Sequence, residues 1–321
     1  MFLLRQILGY PRLPLIDSVA CGMVVLLLFP ASAVCQTPRP TRLAVLDLGN
    51  STTGDRVASQ IREGLRSRAI QPQTEPSRDF EIVDPDQARA AARGAGFDGS
   101  LNLTLAEARD LGAAIGCDFF IVGDAQTVRR SPSSGAIYYE AFASIFLVSA
   151  RSGKLVQWER PNFQRPTSDQ AEQALIASLA ADETRQRYAI AIRQAMEDER
   201  IARARAIDAA TPVIEIMSDE EVGRDSATRP PRPFRRLKPP YPESASRAGA
   251  EATVDVLVDI DARGEVGNIE VARWAGYGLD QSVVDTVKQM HFFPAMRDGM
   301  AIPMRVLLRY NFRKPVPNRS R

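Results

Sequence analysis

The chain has 321 residues, of which 45% are hydrophobic and 25% charged, and its formal net charge is +2. This length is sufficient for two ordinary hydrophobic cores. A balance so close to neutrality provides no bulk attraction for a polyanion, so we expect no nucleic-acid partner.

The N-terminal residues have the pattern of an export signal. Arg5 and Arg12 precede a short apolar run at residues 19–29, and Ala33 completes an Ala-x-Ala site. These features predict a Sec signal peptide over the first 33 residues and a periplasmic location. The alternative is an uncleaved inner-membrane anchor, although the run is shorter than the roughly 20 apolar residues that span a bilayer. Lipidation at Cys35 is a third alternative, which the bulky residue before it disfavours.

Strands and helices alternate through the middle of the chain. Apolar runs predict buried strands at residues 43–48, 80–83 and 119–122. Helices are predicted between these strands, one with Val57, Ile61 and Leu65 at helical spacing, one opening at Asp84-Pro85, and one over residues 105–115. Residues 138–148 and 154–159 then predict a hairpin. The alternation predicts an α/β layer domain over residues 40–165.

Parts of this domain are similar to known periplasmic domains. The similar segments are residues 44–48, 80–84, 108–123 and 141–148. They resemble the α/β domains of the curli-secretion lipoprotein CsgG and the penicillin-binding-protein activator LpoB. The resemblance implies recognition of other proteins and not catalysis.

A long helical segment is predicted over residues 166–210. Leu175, Leu179, Ile190 and Ile201 give it a partial apolar stripe. Packing of this stripe on the middle domain is favoured over an extended spacer.

An interdomain linker is predicted over residues 211–240. It begins with an acidic patch and continues with prolines among a basic cluster, formed by Arg229, Arg232, Arg235, Arg236 and Lys238. A solvated, extended linker is the favoured interpretation. Contact with anionic lipid or with a cell-wall polymer is the alternative.

The last part of the chain predicts a small β-β-α-β domain over residues 241–315. Residues 253–259 alternate apolar and polar side chains, and a tight turn at 261–264 leads to a second strand at 266–273. A glycine-rich kink at 276–278, an amphipathic helix at 280–290 and a final strand at 302–312 follow. The whole chain is therefore expected to be an α/β domain, a helical spacer and a small α+β domain.

The order of these segments resembles the C-terminal domain of the TonB family, over roughly residues 230–315. The matching features include Pro240-Tyr241-Pro242, Gly276 to Asp280, and Phe293-Pro294-Ala295. The resemblance implies that the last strand lies near a free sheet edge, to which an extended peptide adds as another strand. In the family, that peptide is the TonB box of an outer-membrane transporter. The partner-binding residues it implies are Val306, Leu308, Tyr310 and Phe312, or their alternating neighbours.

Several short patterns resemble catalytic or ligand-binding motifs, but their neighbouring residues do not fit those functions. His291 is the single histidine, so neither a metal site nor a nucleophile–base pair can be built around it. Its apolar neighbours predict a packing residue at a helix end. A Gly-x-Gly-x-x-Gly pattern at residues 94–99 follows a predicted helix, where a nucleotide site needs a strand. The calcium-like pattern at 259–264 is interpreted as a hairpin turn, and Cys117 as a small buried residue rather than a disulfide partner of Cys35. We expect no enzyme activity, no cofactor and no metal.

Two functional hypotheses remain. In the first, the protein contributes to TonB-dependent transport and binds an outer-membrane transporter or another envelope protein, with inner-membrane motor proteins as further partners. In the second, it is a soluble periplasmic adaptor without energy coupling. The short proline-rich stretch and the lack of a histidine in the N-terminal apolar run count against direct coupling. A homodimer is a further alternative, because edge strands can pair with themselves.

Overall fold

The computed structural model describes residues 39–66, 80–180, 182–208, 216–217 and 228–314. The predicted signal peptide and Cys35 lie outside these residues. The described residues from Pro40 onwards belong to one compact unit. Among the helices that are described, none combines the length and the hydrophobicity needed to cross a bilayer.

The first half of this unit alternates strands and helices. Its elements are β1 (Thr41–Leu48), α1 (Thr52–Arg66), β2 (Phe80–Ile82), α2 (Pro85–Gly94), α3 (Leu105–Ile115), β3 (Phe119–Arg130), β4 (Tyr138–Ser149), β5 (Leu155–Glu159), β6 (Asn162–Arg165), α4 (Ser168–Ala180) and α5 (Asp182–Asp208). The strands form one mixed sheet with the order β2-β1-β3-β4-β5, in which β6 also pairs with β4. Strand β1 runs parallel to β2 and β3, whereas β3, β4 and β5 are successively antiparallel.

Helices cover both faces of this sheet. Val57, Ile61 and Leu65 of α1 are buried against one face, together with residues of α4 and α5. Helices α2 and α3 cover the other face through alanines and Leu111. Strands β1 and β3 are therefore apolar on both sides, as their continuous hydrophobic composition predicts.

The bounds of α3 follow from local chemistry. The hydroxyl of Thr104 accepts a hydrogen bond from the backbone N–H of Glu107, and the Glu107 carboxylate accepts from the Thr104 N–H in return. This reciprocal pair satisfies two amide groups that a helix start otherwise leaves unpaired. At the other end Gly116 ends the helix with a left-handed conformation at φ +72°.

The predicted apolar stripe is correct on α4, whereas on α5 it is wrong at Ile190, and Ile201 is partly buried. Leu175 and Leu179 are buried, but Ile190 is 55% exposed. Helix α5 instead buries Tyr188 and Ile192, and the Tyr188 hydroxyl donates a 2.6 Å hydrogen bond to the Glu159 carboxylate. Both helices therefore pack on the sheet and do not form an extended spacer, and each contributes its own buried side chains to the core.

The second half is smaller and richer in short strands. Its elements are β7 (Ile216–Met217), β8 (Thr228–Arg229), β9 (Arg232–Pro233), α6 (Glu243–Ala248), β10 (Ala252–Ile260), β11 (Val266–Arg273), α7 (Leu279–Val287), β12 (Phe292–Phe293), β13 (Ala295–Arg297), β14 (Met300–Ile302) and β15 (Met304–Phe312). The main sheet has the order β11-β10-β15-β7. The predicted β-β-α-β order is confirmed in β10, β11, α7 and β15.

Part of the predicted linker is not a solvated spacer. Strand β8 pairs with β13, and β9 pairs with β12, both antiparallel. Pro233 is the proline within these strands, and it is accommodated because β9 is only two residues long. Residues 228–233 therefore belong to the C-terminal domain.

The core of the C-terminal domain lies between its sheet and α7. Val254, Val256 and Val258 project from β10 onto the helix and are fully buried, together with Leu279 and Val283 of α7. The strict alternation along β10 matches a sheet with one covered face.

A tryptophan joins the two halves of the molecule. Trp274 follows β11, yet its side chain is 1% exposed and lies in the core beneath α2 and α3. Its ring stacks on Phe146 of β4 with centroids 5.8 Å apart, and its indole N–H donates a 3.0 Å hydrogen bond to the Gly153 carbonyl. The C-terminal domain is therefore docked on the α/β domain and not merely tethered to it.

An asparagine adds polar contacts to this interface. The side-chain amide of Asn102 donates to the carbonyls of Thr253 and Trp274 at 2.8 and 2.7 Å, and its oxygen accepts from the Thr253 N–H at 3.0 Å. All three of these hydrogen bonds therefore join the Asn102 side chain to the C-terminal domain. Lys154 and Glu270 form an ion pair across the same interface at 3.3 Å.

Candidate partner-binding edge

Strand β15 has one fully paired side. It pairs antiparallel with β10 through nine consecutive residue pairs, from Ala252 opposite Phe312 to Ile260 opposite Met304. This long ladder holds β15 rigidly in the sheet. Its other side is the candidate partner-binding edge.

The outer side of β15 already carries an added strand. Strand β7 runs parallel to β15, with Ile216 opposite Arg305 and Met217 opposite Val306. The structure describes strand pairing on this side only at those two positions, because β7 is described only over two residues. The backbone of β15 therefore accepts a parallel strand at this edge.

The predicted partner-binding residues lie together on the covered face of β15. Val306, Leu308 and Tyr310 are partly buried against the core under α7, and Phe312 is 9% exposed. The Tyr310 hydroxyl approaches the Met290 sulfur at 3.6 Å, and burial raises the pKa of this phenol. These side chains therefore contribute to the core of the domain and not to its open face.

The alternating neighbours form the open face. The guanidinium of Arg305 makes two hydrogen bonds to Asp259, at 2.5 and 2.8 Å, and Arg309 makes two to Asp255, at 2.7 and 3.0 Å. Leu307 lies between these two arginines and is 41% exposed. A strand added beside β15 would place every second side chain next to this face.

A signal for this face was present in the sequence. Arg305 and Arg309 lie directly opposite Asp259 and Asp255 in the register of β10 and β15. Opposite charges at matching alternation along two strands indicate one polar face, whereas the aromatic and aliphatic side chains of β15 indicate the covered one. The residues predicted from the resemblance therefore lie on the covered side of β15, and the open face carries their alternating neighbours.

An aspartate fixes the loop that precedes α7. The Asp280 carboxylate accepts hydrogen bonds from the backbone N–H groups of Ala275 and Gly276, at 2.8 and 2.7 Å. Burial raises the pKa of Asp280 to about 6, against the opposing effect of these hydrogen bonds. The loop carries Trp274 on one side and α7 on the other, so Asp280 links the interdomain contact to the strand-bearing core.

The structure also shows the positions of three other residues that the sequence analysis considered. His291 is exposed and its Nδ1 lies 3.3 Å from the Glu265 carboxylate, so its prediction as a packing residue is wrong. Asp261 accepts from the N–H groups of Arg263 and Glu265 and forms the predicted hairpin turn. Cys117 is a free thiol, and burial raises its pKa to about 12. In the described part of the chain, no three His, Cys, Asp or Glu side chains are grouped to hold a metal ion.

A cavity of about 450 Å³ lies between the carboxyl end of β1 and residues 122–124 of β3. The Arg89 guanidinium in its lining makes hydrogen bonds of 2.7 and 2.9 Å to the two carboxylate oxygens of Asp47. This contact lowers the pKa of Asp47. The lining contains neither a histidine nor a cysteine, and the Asp47–Arg89 pair satisfies its own charges.

These features define a small sheet-and-helix domain with an edge that accepts a strand. Residues 238–313 match the family model described as Gram-negative bacterial TonB protein C-terminal. Over 80 residues the chain is 32% identical to Protein TonB of Xanthomonas campestris pv. campestris strain B100, a region covering 24% of this chain and 36% of that protein. The chain thus spans about a third of the length of this curated relative. Its last quarter is a C-terminal domain of the TonB family, as the resemblance predicted.

Solved structures of two kinds are similar to parts of the chain. The solution structure of the Pseudomonas aeruginosa TonB C-terminal domain is 22% identical, and the match covers 34% of this chain and all of that one, with a TM-score of 0.25. The LpoB C-terminal domain from Salmonella enterica is 12% identical and covers 40% of this chain and 84% of that one, with a TM-score of 0.26. The α/β architecture of the first half is defined by its own sheet and helices.

Proposed function

We propose that this protein acts in the cell envelope, where its C-terminal domain binds an extended segment of an outer-membrane transporter as an added strand beside β15. The observation that carries the proposal is the parallel pairing of β7 with Arg305 and Val306. An edge that accepts one strand offers the same backbone donors and acceptors to another. The family of residues 238–313 supports a role in TonB-dependent transport.

The open face would supply the side-chain contacts of the bound strand. Leu307 offers an apolar contact between the guanidinium groups of Arg305 and Arg309. The backbone hydrogen bonds provide affinity, and these three side chains select the residues that alternate on that side of the peptide. The proposed reaction is binding alone, so we infer no enzymatic step and no cofactor.

Because Trp274 docks the two domains together, a force applied to the bound strand would be transmitted to both domains. Force applied along β15 loads nine residue pairs with β10. From this sheet it passes through Trp274 and Asn102 into the α/β domain. We infer that the two domains bear the load together, whether a membrane anchor or an inner-membrane motor partner holds the other end.

The same docking supports a second candidate function, a periplasmic adaptor without energy coupling. A rigid pair of domains holds two binding surfaces at a fixed separation, which suits a scaffold between envelope proteins. The edge of β15 would also permit a homodimer through strand pairing. Fractionation of cells and determination of the mature N-terminus distinguish the candidates. A chain retained in the inner membrane supports coupling, and a soluble chain starting at Val34 supports the adaptor.

Strand addition is tested by comparing Leu308→Pro with Leu308→Ala. Both variants remove the same side chain from the core, but only proline removes the backbone N–H and strains the ladder. The probe is a set of synthetic peptides copied from the periplasmic N-terminal segments of the outer-membrane transporters encoded in the same genome, with binding measured by calorimetry. We expect Leu308→Ala to bind within a few-fold of the parent and Leu308→Pro to lose binding. A folded Leu308→Pro protein that binds like Leu308→Ala would refute the edge mechanism.

A further inference from the structure

A two-stranded ribbon at the border of the C-terminal domain exposes aromatic side chains. Strands β9 and β12 pair antiparallel, with Pro233 opposite Phe292 and Arg232 opposite Phe293. The ribbon continues where the Phe234 N–H donates a 2.8 Å hydrogen bond to the His291 carbonyl. Side chains that lie opposite each other in such a ribbon project to the same face.

The two faces of this ribbon differ sharply. Phe292 is 1% exposed and belongs to the core, whereas Phe234 and Phe293 on the other face are 61% and 60% exposed. The two exposed rings lie against each other, with centroids 4.3 Å apart. Their contact forms an apolar surface that the core of the domain does not use.

Basic residues flank Phe234 in the sequence, and one of them, Arg232, lies opposite Phe293 in the ribbon. Between Thr228 and Pro242 the sequence contains no aspartate or glutamate, and its five basic residues are exposed. Glu265 is the acidic group found beside the ribbon, where its carboxylate pairs with His291. We call the whole surface the aromatic–basic patch, which consists of Phe234, Phe293, Arg229, Arg232, Arg235, Arg236 and Lys238.

We propose that the aromatic–basic patch binds the surface of an anionic lipid bilayer. Aromatic rings are favoured at the boundary between headgroups and acyl chains, and arginine side chains pair with headgroup phosphates. A soluble polyanion would attract the same cations but would offer no apolar phase to the two phenyl rings. The combination of paired exposed rings and adjacent cations therefore favours a membrane surface over a cell-wall polymer.

Binding to this surface would be compatible with strand addition. The patch is formed by β9 and β12 and the residues that follow β9, whereas the proposed peptide lies along β15. The two rings and the proposed peptide use different strands, so the domain can be held at a membrane while its edge remains available. Arg236 is the patch residue nearest to this edge, because its charge acts on Tyr310 of β15. The failure of one proposal would leave the other intact.

The test is co-sedimentation of residues 40–321, the compact unit that lacks the N-terminal apolar run, with lipid vesicles. Vesicles of phosphatidylethanolamine and phosphatidylglycerol are compared with vesicles of phosphatidylcholine. We expect binding to the anionic vesicles alone, and a loss of about tenfold or more when Phe234→Ser and Phe293→Ser are combined. Arg235→Gln with Arg236→Gln should weaken binding by about fivefold per residue.

The matched control is Ile190→Ser, which removes an equally exposed apolar side chain from α5, outside the patch. This variant should bind vesicles like the parent. Equal binding to phosphatidylcholine would overturn the electrostatic part of the proposal. Binding that depends on the arginines and not on the phenylalanines would indicate a polyanion and overturn the lipid assignment. An absence of vesicle binding, with a photo-crosslinker at position 234 capturing a protein, would assign the patch to a protein partner instead.

Discussion

Replacement of Trp274 by alanine tests whether the two domains unfold together. The residue belongs by sequence to the TonB-family domain, but its side chain is almost completely buried in the core of the α/β domain. The substitution therefore removes a large apolar contact between the domains, leaves a cavity where the ring entered the α/β core, and keeps the C-terminal core intact. We expect it to destabilise the interface far more than either domain alone.

The expected magnitude is the sum of two contributions. Truncation of a buried tryptophan to alanine costs about 3–5 kcal/mol, which includes the stacking on Phe146 at 5.8 Å. Loss of the 3.0 Å hydrogen bond to Gly153 leaves a buried carbonyl unpaired and adds about 1 kcal/mol. The total of roughly 4–6 kcal/mol is comparable with the whole stability of many single domains.

The assay is urea unfolding of residues 40–321 followed by far-UV circular dichroism. The parent should unfold in a single transition, and Trp274→Ala should show two transitions with a reduced slope for each. Leu279→Ala is the matched control, because Leu279 is fully buried inside the C-terminal core. It should lower stability by about 2–5 kcal/mol while the transition stays single. A Trp274→Ala protein within about 1 kcal/mol of the parent, unfolding in one step, would refute the interface.

Two further predictions concern the loop that follows Trp274, and a third concerns the edge of β15. Gly276→Ala places a Cβ 2.4 Å from a Phe146 ring carbon at a φ of +71°, so we expect a loss of about 2–4 kcal/mol in urea unfolding, and a neutral result would contradict the geometry. The raised pKa of Asp280 means that the folded state binds more protons than the unfolded state between about pH 4 and 6. Wild-type stability should therefore fall relative to Asp280→Asn by about 3 kcal/mol as pH rises through that window, and a constant difference would exclude the shift. Ile216→Pro should remove β7 from the edge and strengthen peptide binding measured by calorimetry; unchanged affinity would show that β7 does not compete.

Local patterns predicted most of the regular elements. The helix at residues 105–115 has the same bounds in the sequence prediction and the structure, because a capping pair begins it and Gly116 ends it. The strands at β1 and β3 were predicted from continuous apolar runs that only a doubly covered sheet can bury. The order of β10, β11, α7 and β15 followed from period-two alternation and one amphipathic helix.

Long-range packing could not be predicted in the same way. Trp274 meets Phe146 and Gly153 across more than a hundred residues, and a single tryptophan after a strand has no periodicity that indicates its partner. The stripe on α5 was misplaced for a related reason. Ile190 is more hydrophobic than Tyr188, but the tyrosine has a hydrogen-bond acceptor at Glu159 and can therefore be buried. Which residue is buried depends on the surface that the helix meets.

The two faces of β15 have different consequences for the proposed site. Side chains on the covered face, such as Val306 and Leu308, contribute to the core, so their substitution changes the stability of the edge before it changes recognition. Side chains on the open face, such as Leu307, lose little burial when they are replaced and are free to select the partner. Binding measurements on covered-face variants therefore need a parallel measurement of stability, whereas those on Leu307 report recognition directly. Because backbone hydrogen bonds supply most of the affinity, β15 can bind extended peptides in general, while the side chains of its open face determine which peptides bind best.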